Sequence, residues 1–430
     1  MDTVLSSTRR SVRRFAVGAA LLLSFAGPAA ADVYTVGPTG DFPDIQLAVD
    51  FATDGDVILV QAGAYGSVVI SNKTLSITAD TDAAVTTQDI VVQDLTLGRN
   101  VSLAGLTVTF SGASQLPGLT AVDNVGGLRV ADCDITGQNG SIFQYGGPGA
   151  VIASCGNVSF VGSVVSGGGG FHPAGTLPGS LGVDASDSVV SFHGGSVVGG
   201  AAVGTNTFPA LVGGIGLRAE DTEAFASGTL FRGGTGGAAM SCLPGLGADP
   251  GGVGGAGVSL VGGLSIFRQQ DCLLLGGAGG PGSFPDPTWC PSGGAQGPTG
   301  PDLVDPLAAN RLLGGTAHGF EAPTPLREFV PFTASLVGEP GDLAAVLTHV
   351  GTASSFQSGV NAQLLLQLTF QVKLVGVLPA SGVLEATTAF PDLGLGVQEE
   401  VLFTQPLFLG TGGELNLGAP YTAIVLDSAF

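Results

Sequence analysis

The chain has 430 residues, of which 73 are glycine, 11% are charged and 44% are hydrophobic, and its formal charge is −21. A disordered glycine-rich chain lacks that apolar content and collagen needs a strict G-X-Y period, so both are excluded. With 34 acidic against 13 basic residues, the surface repels nucleic acid and anionic lipid, and repels a polyanionic sugar chain unless cations bridge the two.

Residues 1–31 read as a bacterial export signal. Arg9, Arg10, Arg13 and Arg14 precede a short apolar run from Phe15 to Phe25, and Ala29-Ala30-Ala31 offers a small-residue cleavage site. The apolar run is too short to span a bilayer comfortably, so no membrane span is expected once the signal is gone. The paired arginines leave twin-arginine and ordinary secretory export both open. The expected location is extracellular or on the cell surface, for a chain with 9 basic and 33 acidic residues.

The next segment predicts a strand over Asp32 to Val36 and a helix opening at Pro43, whose fixed φ suits a first helical position. Ile45, Ala48, Val49 and Ala52 recur at helical spacing on one face. Val57 to Val60 is a continuous apolar run of the kind that forms a strand buried on both sides. A helix with one apolar face beside a stack of strands is what the open end of a β-helix needs.

Five later segments can be overlaid: 127–137, 157–167, 189–199, 223–233 and 263–276. Their anchors Leu128, Val158, Val190, Ala224 and Leu264 are separated by 30, 32, 34 and 40 residues. A variable period in this range predicts a solenoid whose loops of uneven length leave from one corner. Leu128 and Val130 point inward around an outward Arg129, with Val158 and Phe160 likewise around Ser159 and Val190 and Phe192 around Ser191. Gly, Asn and Asp between the runs supply corners with positive φ. The pattern predicts a right-handed parallel β-helix over residues 32–301.

The glycine-rich stretches 233–257 and 276–300 read as long flexible loops. The starts at Gly233, Gly251 and Gly276 imitate calcium-binding repeats but lack the ligand Asp. Five cysteines remain after export: Cys133, Cys155, Cys242, Cys272 and Cys290, with no C-x-x-C pair for zinc or thioredoxin-type chemistry. Cys242 and Cys290 fall in the two successive loops and are expected to form a disulfide, the alternative being two buried or unpaired thiols. The other three read as small core residues. Trp289, beside Cys290, reads as a plug for its loop rather than a binding residue.

Residues 302–430 predict a second domain. Leu364, Leu366, Leu368, Phe370, Val372 and Leu374 alternate with mostly polar residues, giving one apolar and one solvated face. Further strands are expected at 329–337, 343–348, 383–390, 401–409 and 422–427, enough for a small antiparallel β-sandwich.

The run from Phe42 to Ala52, with Asp54-Gly55-Asp56 leading into Val57 and with Ala62 to Tyr65 behind, resembles the opening of pectinesterases and of the wider pectin-lyase-like β-helix superfamily. The match is close over about 35 residues and loose to about residue 280, and it implies fold rather than chemistry, because the opening element is a cap. The glycine-rich corners and the sandwich resemble secreted proteins of planctomycete-type bacteria, which brings no activity with it. Against the paired catalytic Asp that the pectinesterase resemblance implies, Gln93-Asp94 is the nearest local match, and no following coil supplies a second Asp in that context. Against polygalacturonase patterns only Phe192-His193-Gly194 is similar, and His193 reads as an exposed corner residue. No catalytic residue is assigned.

Asp123, Asp184, Glu220 and Asp221, with Arg218, lie at aligned corners. Stacked, they would form an acidic column able to take calcium, the one cofactor considered; ordinary solvation of corners is the favoured reading. His172, His193, His318 and His349 have no metal-ligand spacing, and no G-x-S-x-G or phosphate loop occurs. Two functions follow. One is a non-catalytic secreted or surface scaffold that binds polysaccharide through outward Ser, Thr and Asn ladders or mediates adhesion. The other is a pectate lyase-like or pectinesterase-like enzyme with an unrecognised site. A groove holding two carboxylates with an Arg or His in hydrogen-bond reach separates them.

Overall fold

A computed structural model describes residues 31–430 apart from 111–115, 141–145, 171–178, 203–209, 240–241, 244–246, 286–291, 350–351, 357–359 and 367–369. The expected export signal lies outside the described residues except for Ala31, as do His172, Trp289 and the expected Cys242–Cys290 bridge. No helix among the described residues is long and apolar enough to cross a membrane.

Asp44 caps the helix that opens the coils: its side chain accepts a hydrogen bond from Gln46 N at 2.9 Å, so the helix spans Ile45–Phe51 and Pro43 precedes the cap. Ile45, Ala48 and Val49 are buried and join the core that runs through the coils. The helix thus closes the first coil, as the sequence pattern requires.

The coils form a right-handed parallel β-helix of three sheets. The longest has ten parallel strands from Val33–Val36 to Asn310–Leu312, and the second, from Gly63–Ala64 to Leu273–Leu275, and the third, from Val68–Ser71 to Leu303–Val304, have eight each. In the long sheet Leu128 lies beside Val158, Val158 beside Val190, Val190 beside Ala224 and Ala224 beside Phe267. The last repeat is therefore offset from the expected anchor: Phe267 fills the core column, while Leu264 is exposed at the preceding corner. Cys133 and Cys155 are buried in the core and Cys272 packs against it, all three as free thiols. Burial raises all three thiols, Cys133 to about 12.

Two corner columns explain the spacing of small and acidic residues. Between the third sheet and the long sheet, Asn72, Asp94, Asp123, Ser154, Asp187, Asp221 and Gly262 all take positive φ. Between the long sheet and the second sheet, Gly105, Asp132, Gly162, Gly194, Gly228 and Asp271 do the same. Gly162 has a further reason to be glycine, since a Cβ there would collide with the Asp132 carboxylate of the coil below.

Every long loop leaves between the second and third sheets. The loops span 109–118, 137–149, 167–182, 199–216, 233–257 and 276–302, lengthening from 10 to 27 residues along the axis. The last of them are not flexible excursions. Gly233, Gly236 and Ala239 donate to Leu275, Ala278 and Pro281; Gly234 and Gly237 donate to Gly214 and Leu211; Gly252 and Gly255 donate to Gly237 and Gly234. Gly277 and Gly280 donate to Gly255 and Gly252, and Gly297 and Gly300 to Gly280 and Gly277, all at 2.8–2.9 Å. Steps of three residues are the repeat of a polyproline II-type extended helix. The G-G-x runs are a bonded array of such chains, and glycine is needed because the chains approach closely: a Cβ at Gly255 would fall on the carbonyl oxygen of Gly214.

The wound stack reaches Leu312, past the expected end at 301, because Leu303–Val304 and Asn310–Leu312 still pair in the third and long sheets. The break in glycine pattern marks the end of the array, not of the coils. Beyond it, a three-stranded sheet (Gly319–Glu321, Phe332–Val337, Val383–Thr388) and a seven-stranded sheet centred on Glu399–Leu409 form a largely antiparallel sandwich. The single alternating strand expected from Leu364 to Leu374 is two strands: Gln363–Leu366 pairs with Thr352–Phe356, and Gln371–Val377 forms an edge beside Leu343–His349. Gln363, Leu364, Leu365 and Leu366 are all buried, whereas Val372 and Leu374 are exposed.

Candidate binding cleft

The sandwich lies along the outer face of the long sheet. Val33, Val57 and Leu59, the outward residues of the first coils, pack on Ile424 and Leu426. Higher up, Phe225 joins Leu347, Leu364, Leu366 and Leu417 in a shared apolar cluster. Polar contacts tie the seam: Arg327 Nη2 donates to Asp80 Oδ1 at 2.8 Å, Val33 N to Gln398 Oε1 at 2.9 Å and Ala317 N to Asp271 Oδ2 at 3.2 Å. The outward ladder expected to face solvent is therefore covered, with Ser102, Ser159 and Ser191 all buried. His193 is only 2% exposed, not an exposed corner residue, because the sandwich covers its corner.

Arg129 is buried in this seam. Its Nη1 donates to Thr422 Oγ1 at 3.0 Å, its guanidinium lies 5.5 Å from the Phe403 ring centroid, and no carboxylate among the described residues pairs with it. Burial lowers its pKa to about 9. His193 is pulled down to about 3, first by burial and then by the Arg129 charge, so its ring is neutral at ordinary pH.

Where the covering is incomplete, a cavity of about 520 Å³ opens between coils and sandwich. The coil wall presents Ser102, Asp132, His193 and Ser227; the sandwich wall presents Phe320, Glu321, Thr324 and Tyr421. Burial, then the neighbouring Glu321 charge, raises the Asp132 carboxyl above its ordinary value. Tyr421 donates to Pro323 O at 2.6 Å and accepts from Thr324 Oγ1 at 2.9 Å, and burial raises its hydroxyl. The Phe320 and Tyr421 rings lie 5.3 Å apart. Ser102 Oγ, Ser227 Oγ and both ring nitrogens of His193 have no hydrogen-bond partner among the described residues. No Lys or Arg among the described residues lines the space. His318, also at its edge, is held at 3.0 Å by buried Asp342.

The residues singled out from sequence lie elsewhere. Asp184 and Glu220 stand on the outer face of the third sheet and share Arg218, whose Nη1 reaches Asp184 Oδ1 at 3.0 Å and whose Nη2 bonds Glu220 Oε2. Asp123 and Asp221 stand in one corner column with Ser154 and Asp187 between them, and Asp221 Oδ1 accepts from Leu264 N at 3.0 Å. Asp94 belongs to the same column, and Gln93 Nε2 donates to Ser71 Oγ. No group of three or more His, Cys, Asp or Glu among the described residues is placed to hold a metal ion.

Asp132 carried one readable signal, an acid at a corner where the following coils have Gly162, Gly194 and Gly228. Glu321 and Tyr421 carried none, since nothing in a strand pattern says against which face of the coils a second domain lies.

No protein-family profile and no curated protein matches the chain. Among solved structures, it is similar to the enzymatically active domain of tailspike protein 2 of bacteriophage CBA120, at 10% identity and a TM-score of 0.26 over 93% of this chain and 72% of that one. The full-length tailspike protein 2 of an Escherichia coli O157:H7 bacteriophage gives 12% identity and a TM-score of 0.25, over 93% of this chain and 64% of that one. A superoxide reductase (neelaredoxin) from Ignicoccus hospitalis matches 25% of this chain and 80% of its own, at 13% identity and a TM-score of 0.15. The fold described above rests on the strand registers themselves.

Proposed function

We propose that the chain is an exported, non-catalytic β-helix protein of the pectin-lyase-like kind, a rigid scaffold outside the cell that holds a saccharide in the cleft between coils and sandwich. One observation carries this reading. The sandwich covers the outer face of the long sheet, and the cleft presents two carboxyls, several hydroxyls and an aromatic pair, with no Arg or His hydrogen-bonded to either carboxylate among the described residues. Sugars are bound by that combination: ring C–H faces stack on aromatic rings, and hydroxyl groups exchange hydrogen bonds with carboxylates and side-chain hydroxyls.

The alternative, a polysaccharide-active enzyme, draws support from the pairing of the two carboxyls. Asp132, whose carboxyl is raised by partial desolvation and then by the Glu321 charge, shares the cleft with Glu321, and paired carboxyls are the working parts of glycoside hydrolysis. The two readings separate when the purified chain is incubated with neutral and acidic polysaccharides, with and without calcium. Binding without new reducing ends, unsaturated products or methanol is expected. Release of any of these overturns the scaffold reading in favour of the enzyme.

A further inference from the structure

We infer that the cleft selects a saccharide carrying a free amino group, of the β-linked glucosamine type, with its ammonium between Asp132 and Glu321. The inference rests on the saccharide reading above and narrows it to one class of sugar. The two carboxylates come from opposite walls, Asp132 from a coil corner and Glu321 from the first strand of the sandwich, and face one cavity. No Lys or Arg among the described residues lines that cavity. Arg129, in the same seam, is engaged by Thr422 and by the Phe403 ring.

An acidic pair alone would be no more than a solvated surface. The coil wall adds an independent observation: Ser102, His193 and Ser227 are 1%, 2% and 4% exposed and line the cavity with unpartnered Oγ and ring nitrogen atoms. Buried polar groups cost stability unless something satisfies them, and a hydroxyl-rich ring seated in the cleft does so. The Phe320–Tyr421 pair offers the apolar platform on the opposite side. A partly desolvated carboxyl such as that of Asp132 gains from an ammonium beside it, which offsets the desolvation of the charge. Two carboxylates suffice for an ammonium, whereas calcium asks for six to eight oxygens. A lysine side chain shares the ammonium but not the ring, so the hydroxyl-lined wall favours the sugar.

Calorimetric titration of the full chain tests this with four probes: a β-1,4-glucosamine tetramer, its N-acetylated counterpart, cellotetraose and a lysine-rich peptide. The glucosamine tetramer should bind about tenfold or more tightly than the other three. Asp132→Asn and Glu321→Gln should each remove roughly tenfold of that preference. Both variants should fold, because Asn tolerates the left-handed backbone at position 132 and Glu321 is exposed; an unchanged unfolding midpoint checks this. Equal affinity for the three sugars sinks the amino-sugar inference and leaves the saccharide reading standing. No binding of any sugar sinks both. A peptide that binds as tightly as the glucosamine tetramer, or a preference indifferent to the two substitutions, also overturns the assignment.

Discussion

The coils and the glycine array are built from one chain by opposite means. In the coils, side chains do the work: Phe160 stacks on Phe192 with centroids 5.3 Å apart, and Phe192, Phe231 and Phe267 continue the column edge to face at 5.3 and 5.7 Å. In the array, side chains are nearly absent, and cohesion comes from backbone N–H groups donating to neighbouring chains at every third residue. A period of two buries apolar area, while a period of three with glycine at two places lets backbones touch. Stability should therefore concentrate in the coils. Phe192→Ala, which empties a fully buried site, should cost about 3–5 kcal/mol of unfolding free energy in a denaturant titration. A loss below about 1 kcal/mol would place the main cohesion elsewhere.

The seam between coils and sandwich follows neither rule, since it buries polar groups without a regular ladder to receive them. Glu399 shows the consequence. Burial first, then the charges of Asp56 and Glu400, push its carboxyl up to about 8 from an ordinary 4.5. The folded chain therefore keeps a proton that the unfolded chain has released, so the unfolded state binds fewer protons and stability falls as pH rises from about 4.5 to about 8. Below that window the group contributes nothing to the slope; above it the whole penalty applies, on the order of 5 kcal/mol. Glu399→Gln should flatten this part of the profile, raising the unfolding midpoint at pH 9 and leaving it unchanged at pH 4. A wild-type profile already flat between pH 5 and 8 would contradict the assignment.

What could be read from sequence follows the same division. The cap and the coils were legible because Ile45, Ala48 and Val49 repeat at helical spacing and Val158, Phe160, Val190 and Phe192 at strand spacing, and one buried face fixes such patterns. Val57 to Val60 even announced a covered outer face, since both sides of that strand are buried. What covers it was not legible, because docking depends on shape across hundreds of residues, and so His193 and Arg129 read as outward residues with no hint of burial. The split of 364–374 into two strands escaped for a related reason: Leu365 is buried as well as Leu364 and Leu366, so a run covered on both faces passed for an alternating one. Asp132 and Glu321, 189 positions apart, meet only because of the docking.

The array gives the smallest effect and the sharpest check on the comparison. Its glycines read as flexibility because propensity treats each residue alone, whereas a bonded array depends on where the next chain passes. Gly255 is a central link: its N–H donates to Gly234 O at 2.9 Å, and its carbonyl accepts from Gly277 N at 2.8 Å. Valine there would collide with the Gly214 carbonyl and force both neighbours away, at a cost of about 1–2 kcal/mol confined to the array. Because local opening can proceed without global unfolding, amides over 233–257 and 276–300 should exchange with solvent roughly tenfold faster in Gly255→Val. Amides of the coil strand Val189–His193 should keep their wild-type protection. Faster exchange in both places would mean that the array braces the coils and that the two regions stand or fall together.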